Sequence, residues 1–187
     1  MKSAPNLVLI GPMGSGKSSI GRRLAERLSL PFVDADREIE HRTGATIPLI
    51  FELEGETGFR AREHETLAHL CAGHGQVIAS GGGAVLHPDT RALLPARSFV
   101  LYLAVDLETQ LRRLANDRGR PLLQQGNRRE LLQRIGEERA PIYAQLADLR
   151  YDTGRAGVRH AVEQILDLLR QHWRLTQPLP APLDTSA

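Results

Sequence analysis

Residues Gly11-Pro12-Met13-Gly14-Ser15-Gly16-Lys17-Ser18 come directly after the apolar run Leu7-Val8-Leu9-Ile10 and fill the pattern G-x-x-x-x-G-K-[ST]. A buried strand, a glycine loop and a helix in that order make a phosphate site. The glycines let the backbone curl so that several N–H groups face one anion, and the helix starting near Lys17 adds its N-terminal partial positive charge. Lys17 is expected to reach the β- and γ-phosphates, and the Ser18 hydroxyl to ligate Mg2+. Of 24 basic residues only Lys2 and Lys17 are lysines; the other 22 are arginines. The motif position that needs a compact ammonium, where a planar guanidinium would not fit, therefore has it. The chain is expected to bind a nucleoside triphosphate.

At 187 residues the chain suits one domain with a sizeable core, expected over 1–174. A net charge of +2 and 25% charged residues are ordinary for a globular protein, and 4% aromatics leave little for base stacking, which disfavours a nucleic-acid partner. Cys71 is the only cysteine, so no intrachain disulfide forms, which suits a reducing cytoplasm. The apolar run before the glycine loop is too short for a signal sequence and nothing later reaches membrane-spanning length, so the expectation is a cytoplasmic, membrane-free protein; a monomer is expected.

Leu7–Ile10, Pro31–Asp34, Gln76–Ser80, Ser98–Val105 and Leu149–Asp152 read as strands. Ile20, Leu24 and Leu28 mark one helix, Phe59, Leu67 and Leu70 a second, Leu107, Leu111 and Leu114 a third, and Val158, Val162, Ile165 and Leu169 a strong C-terminal one. This alternation implies an α/β fold, a parallel sheet with helices on both faces. Two stretches interrupt it: a charged, helical, strandless segment at about 36–63, expected to be an inserted lobe over the site, and a polar Gly/Pro-containing segment at about 115–127, expected to be a lid. The proline-rich stretch 175–187 is expected to be a disordered tail.

Asp34-Ala35-Asp36 closes the second strand at the carboxyl edge, where α/β folds bind ligands, and alternate residues there point opposite ways. The third strand ends without an aspartate, so Asp34 is the candidate to organise Mg2+, and Asp36 to orient or deprotonate an acceptor hydroxyl. A plain helix cap or solvated turn is the competing reading. Gly81-Gly82-Gly83 allows close approach to a ligand, or serves only as a tight turn. Arg60 lies on the expected lobe, Arg139 near an expected helix break before Pro141, and Arg118 and Arg120 in the expected lid. A carboxylate acceptor needs a bidentate arginine, and a lid arginine suits a transferring phosphoryl group. His64 and His69, five apart, miss the i, i+4 spacing of a helical zinc pair and read as surface histidines.

Taken together, Gly11–Ser18, Phe32-Val33-Asp34-Ala35-Asp36-Arg37-Glu38-Ile39-Glu40, Arg42-Thr43-Gly44, Gly58-Phe59-Arg60, Gly81-Gly82-Gly83-Ala84, Arg120-Pro121-Leu122-Leu123 and Arg139-Ala140-Pro141-Ile142-Tyr143 resemble the shikimate kinases, in family order over roughly residues 6–170. The resemblance implies a three-layer phosphate-loop fold of the nucleoside-monophosphate-kinase-like kind, with a five-stranded parallel sheet in the order 2-3-1-4-5. It also implies ATP-dependent phosphorylation of the 3-hydroxyl of shikimate. Carried over by position, Lys17, Asp36 and Arg120 are catalytic, Asp36 as base and the two cations on the γ-phosphate. Asp36, Arg60, Gly82 and Arg139 hold shikimate; Ser18 and Asp34 hold Mg2+. Gly14, Ser15, Gly16, Lys17, Ser18 and Ser19, with Arg113, Arg120 and Arg155, bind ATP, Arg113 and Arg155 flanking the adenine. Ser19 stands where many phosphate-loop proteins have threonine, and the tail lies outside the resemblance. Two other readings are a kinase for another polyol acid such as gluconate, whose acceptor residues should differ, and a nucleotide switch. No guanine-reading N-K-x-D motif supports the switch; Asn116-Asp117-Arg118 is no match.

Overall fold

Leu7-Val8-Leu9-Ile10 are all fully buried, because this strand is covered on both faces. The structure, a computed structural model, describes residues 1–115, 127–154 and 157–176. In chain order its elements are β1 (Lys2–Ala4), β2 (Leu7–Ile10), α1 (Lys17–Leu28), β3 (Phe32–Asp34), α2 (Ala35–Thr43), α3 (Ile47–Ala72), β4 (Val77–Ala79), a 3-10 turn (Ala84–Leu86), α4 (Pro88–Arg97), β5 (Phe99–Ala104), α5 (Leu107–Arg113), α6 (Arg128–Leu146), β6 (Leu149–Asp152), α7 (Val158–His172) and β7 (Trp173–Leu175). The main sheet runs β3-β4-β2-β5-β6, all parallel. Counting its five strands alone, that is the order 2-3-1-4-5 the resemblance implies.

Strand periodicity sorts the core into two layers. Leu7, Leu9, Phe99, Leu101 and Leu103 pack towards Ile20 and Leu24 of α1 and Ile165 and Leu169 of α7. Val8, Ile10, Val100 and Tyr102 pack the other way, on Leu67 and Leu70 of α3, Leu94 of α4 and Tyr143 of α6. Each fully buried leucine or isoleucine here contributes about 1.5–3 kcal/mol of transfer free energy. Parallel pairing brings Ile10, Asp34, Ala79, Ala104 and Asp152 to one carboxyl edge, and the site is built there.

The segment 36–63 lies mostly in α2 and α3, and α3 bends at Gly55, whose backbone leaves helical geometry with φ 68° and ψ −174°. Three expectations need correction. Arg139 does not lie beside a helix break: α6 runs through Pro141, since a single proline costs one internal hydrogen bond that packing on the sheet outweighs. Leu175 is not part of a loose tail. It belongs to β7, which pairs in parallel with β1, Lys2 opposite Trp173, while the Trp173 indole N–H donates to the Ala4 carbonyl at 3.1 Å. His64 is not a surface histidine: it is half-buried and its Nδ1 lies 3.0 Å from the Thr90 hydroxyl, whereas His69 is exposed. Most of the expected lid and all of 177–187 lie outside the described residues.

Candidate active site

The turn from β2 into α1 has left-handed φ at Gly11, Gly14 and Gly16, as a chain curling around an anion requires. Lys17 Nζ donates to the Gly11 and Pro12 carbonyls at 2.8 and 2.9 Å, spanning the loop. Ser15 is fully buried and its hydroxyl has no hydrogen-bond partner among the described residues. Together with the curled backbone, that orphaned donor fits a phosphate cradle.

Asp34, at the end of β3, carries two connections. Its Oδ1 accepts from the Asp36 N–H at 3.2 Å and so caps α2; its Oδ2 accepts from the Ser18 hydroxyl at 2.6 Å. The cap reading and the metal reading of this aspartate are thus compatible, since each uses a different oxygen. A hydroxyl and a carboxylate side by side are hard oxygen donors of the kind Mg2+ takes.

A cleft of about 410 Å³ runs along this edge, lined by Gly14, Ser15, Gly16, Lys17, Ser18, Ser19, Asp34, Asp36, Gly82, Arg113 and Thr153, among others. Most of the sequence-derived residues therefore meet in one place. Arg113 donates to the Gly14 carbonyl at 2.9 Å and to the Thr153 carbonyl at 2.7 Å. The buried Thr153 hydroxyl bridges the Ser15 and Ala104 carbonyls at 3.0 and 3.1 Å and accepts from Arg113 at 3.2 Å. Arg120 and Arg155 lie outside the described residues.

Next to the phosphate loop the site is built around the triple glycine, and close approach explains two of its members. A Cβ on Gly81 would sit 2.1 Å from Glu63 Oε1 and 2.9 Å from Asp36 Oδ1; one on Gly83 would sit 2.2 Å from Arg60 Nη2. Gly82 lies against the phosphate loop, 3.5 Å from the Met13 nitrogen by the same measure, and its carbonyl accepts from Arg139 Nη1 at 3.3 Å and from the Tyr143 hydroxyl. Arg60, Arg139 and Asp36 thus converge on one loop that touches the phosphate loop.

Sequence reasoning missed Glu63, Tyr143 and Thr153. Glu63 is 1% exposed, and its Oε2 accepts from Arg60 Nη1 at 2.6 Å. Burial pushes its carboxyl up to about 7, with Asp36 adding to the rise, against the pull of Arg60 and Arg139. Arg60 is also held by Glu56 at 3.1 Å and lies over the Phe59 ring. The i, i+3 spacing of Arg60 and Glu63 on one helix was the available signal. Tyr143 stacks on Tyr102 with ring centroids 5.2 Å apart, and burial raises its phenol. It lies one helical turn after Arg139, and Thr153 carried no local signal at all.

A phosphate loop on the central strand, with an acid-and-arginine pocket at the same sheet edge, defines a phosphate-loop kinase of the nucleoside-monophosphate-kinase-like class. Comparison with known proteins narrows the class. The family model "Shikimate kinase" matches residues 13–170. Curated shikimate kinases from Stenotrophomonas maltophilia (52% identical, 93% of this chain and 97% of the relative) and Thioalkalivibrio sulfidiphilus (49%, 100% and 96%) align over nearly their whole length. The solved shikimate kinase from Acinetobacter baumannii in complex with shikimate superposes with a TM-score of 0.87 at 43% identity, covering 90% of this chain and 94% of that one. The chain belongs to the shikimate kinase family.

Proposed function

We infer how this member of the family divides its reaction among its residues. The chain transfers the γ-phosphoryl group of ATP to the 3-hydroxyl of shikimate, giving shikimate 3-phosphate and ADP in aromatic biosynthesis. The observation that carries the residue assignment is the convergence of Asp36, Arg60 and Arg139 on a glycine loop in contact with the phosphate loop. Arg60 and Arg139 hold the acceptor carboxylate by charge-assisted hydrogen bonds, each contributing about 1.5–3 kcal/mol. Asp36 accepts the proton of the attacking hydroxyl. Holding both reactants at one sheet edge turns a bimolecular encounter into an oriented one, and excluding water keeps it from competing as acceptor. The phosphate-loop N–H groups and Lys17 take up charge on the transferring group.

Ser18 and Asp34 are the residues that would hold Mg2+, which when bound neutralises phosphate oxygens. Arg120 and Arg155 are assigned to the γ-phosphate and the adenine from the family motif alone. We read the working form as a cytoplasmic monomer; among the described residues no helix is long and apolar enough to cross a membrane. A mass of two chains on analytical ultracentrifugation would overturn the monomer.

A coupled ADP-release assay with shikimate, gluconate or no acceptor, each with Mg2+ or with EDTA, tests the reading. Turnover should need both shikimate and Mg2+. Equal signal with gluconate, or with no acceptor, overturns the acceptor assignment. Undiminished turnover in EDTA overturns the metal.

A further inference from the structure

Away from the cleft, α3 and α4 bring together three residues with metal-binding donors. His64 lies on α3; His87 caps the start of α4 and Asp89 sits in its first turn. One donor atom from each lies within 4.8 Å of the others. The two imidazoles face each other with centroids 4.5 Å apart and planes 5° from parallel. We propose that His64, His87 and Asp89 form a binding site for a divalent transition-metal ion, Zn2+ being the probe of choice, that links α3 to α4.

The chemistry favours a borderline metal over Mg2+. Two imidazole nitrogens and one carboxylate oxygen are a donor set that suits zinc, copper or nickel, whereas Mg2+ takes oxygen. Three protein ligands with water as the fourth is a common tetrahedral zinc arrangement. Bonds of about 2.0–2.2 Å place tetrahedral donors roughly 3.3–3.6 Å apart, so donors now up to 4.8 Å apart must close by up to about 1.5 Å. Because an imidazole ligates through a lone pair in its ring plane, the stacked rings must also turn out of parallel; side-chain rotation can supply both movements, since Asp89 is exposed and both histidines are only half-buried.

One observation points to a ligand independently of the clustering, and a second is compatible with it. His87 Nδ1 is buried with no hydrogen-bond partner among the described residues, and a buried polar atom in that state is one that an ion or water satisfies. His64 Nδ1 lies 3.0 Å from the hydroxyl of the fully buried Thr90. With Thr90 accepting from Nδ1–H, the lone pair of His64 is on Nε2, which is how an outer partner orients a metal-binding histidine. The site sits behind the acceptor pocket: His64 is the residue after Glu63, and His87 comes directly after the 3-10 turn that leaves the triple glycine.

Metal-stripped full-length protein, with excess Mg2+ present, should bind one Zn2+ per chain by titration calorimetry, and Zn2+ should raise its melting temperature. Co2+ in place of Zn2+ should give the visible absorption of a tetrahedral site with nitrogen ligands. Thr90→Val should weaken Zn2+ binding roughly 10–100-fold, as loss of an outer partner does, and His64→Gln or His87→Gln by more. Asp89→Asn, at an exposed position, keeps the test decisive should a histidine variant fail to fold: it should lose the Zn2+-dependent rise while melting like the parent in EDTA. The proposal is overturned by absence of saturable Zn2+ binding. Affinity unchanged in Asp89→Asn and His87→Gln, or Zn2+ binding lost only on replacing Ser18 or Asp34, overturns it equally.

Discussion

Arg60 and Glu63 lie one helical turn apart and share a 2.6 Å ion pair whose carboxylate is 1% exposed. The pair fixes the guanidinium beside the triple glycine, where Gly83 leaves room for it. On the proposed assignment of Arg60 to the acceptor carboxylate, Glu63 is a positioning residue that acts through Arg60.

Burial raises the folded-state pKa of Glu63 from about 4.5 to about 7. Between those values the folded protein holds a proton that the unfolded chain has lost, so stability from this group is full below about pH 4.5 and falls as pH rises through about 7. At 1.36 kcal/mol per unit the effect is at most about 3 kcal/mol. Melting temperature should fall from about pH 5 to about pH 7.5 more steeply in the parent than in Glu63→Gln. Parallel curves would remove Glu63 as the titrating group.

Asp36→Asn should keep ATP binding and lower kcat by about 10²–10⁴, the range for loss of a general base. Single-turnover ADP release beside a nucleotide-binding titration measures both. A kcat within about twofold of the parent excludes Asp36 as base.

Gly83→Ala puts a methyl where Arg60 Nη2 now lies. The obstacle is the tip of a flexible side chain, so the protein should fold while Arg60 moves aside. Shikimate KM should rise about tenfold, near 1.4 kcal/mol, with ATP KM unchanged. An equal rise in both constants would place the damage in the phosphate loop instead.

Thr153→Val leaves the Ser15 carbonyl and one Arg113 donor without their buried partner. A loss of about 1–3 kcal/mol in stability is expected, together with weaker ATP binding. Urea unfolding and a nucleotide titration check it; ATP affinity unchanged in a destabilised variant would make Thr153 purely structural.

Much of this was legible in the chain. Leu7–Ile10 and Leu149–Asp152 fall where the residues predict, because short apolar or β-branched runs between helical periods have few other uses in a parallel sheet. Asp34, Asp36, Lys17 and Ser18 could be picked out as candidates because the carboxyl end of a parallel strand holds the next few residues at the ligand edge of the sheet. Lys2–Ala4 and Trp173–Leu175 could not be, since each is only three residues long and has meaning only beside the other. The continuity of α6 was hidden because proline marks a break locally, while its packing on the sheet is a property of the whole. The i, i+3 spacing of Arg60 and Glu63 could suggest their pairing but not the burial of Glu63, and the His64–His87 stack depends on contact between separate elements, which spacing along one helix does not report.

The pairing of β1 with β7 has a temporal side. The Trp173 indole meets the Ala4 carbonyl across 169 positions of chain. At about 5–20 residues per second, a ribosome takes roughly 10–30 s to deliver the second partner after the first. Strand β1 therefore waits for β7, and that clasp can close only after every strand of the main sheet between them has been synthesised.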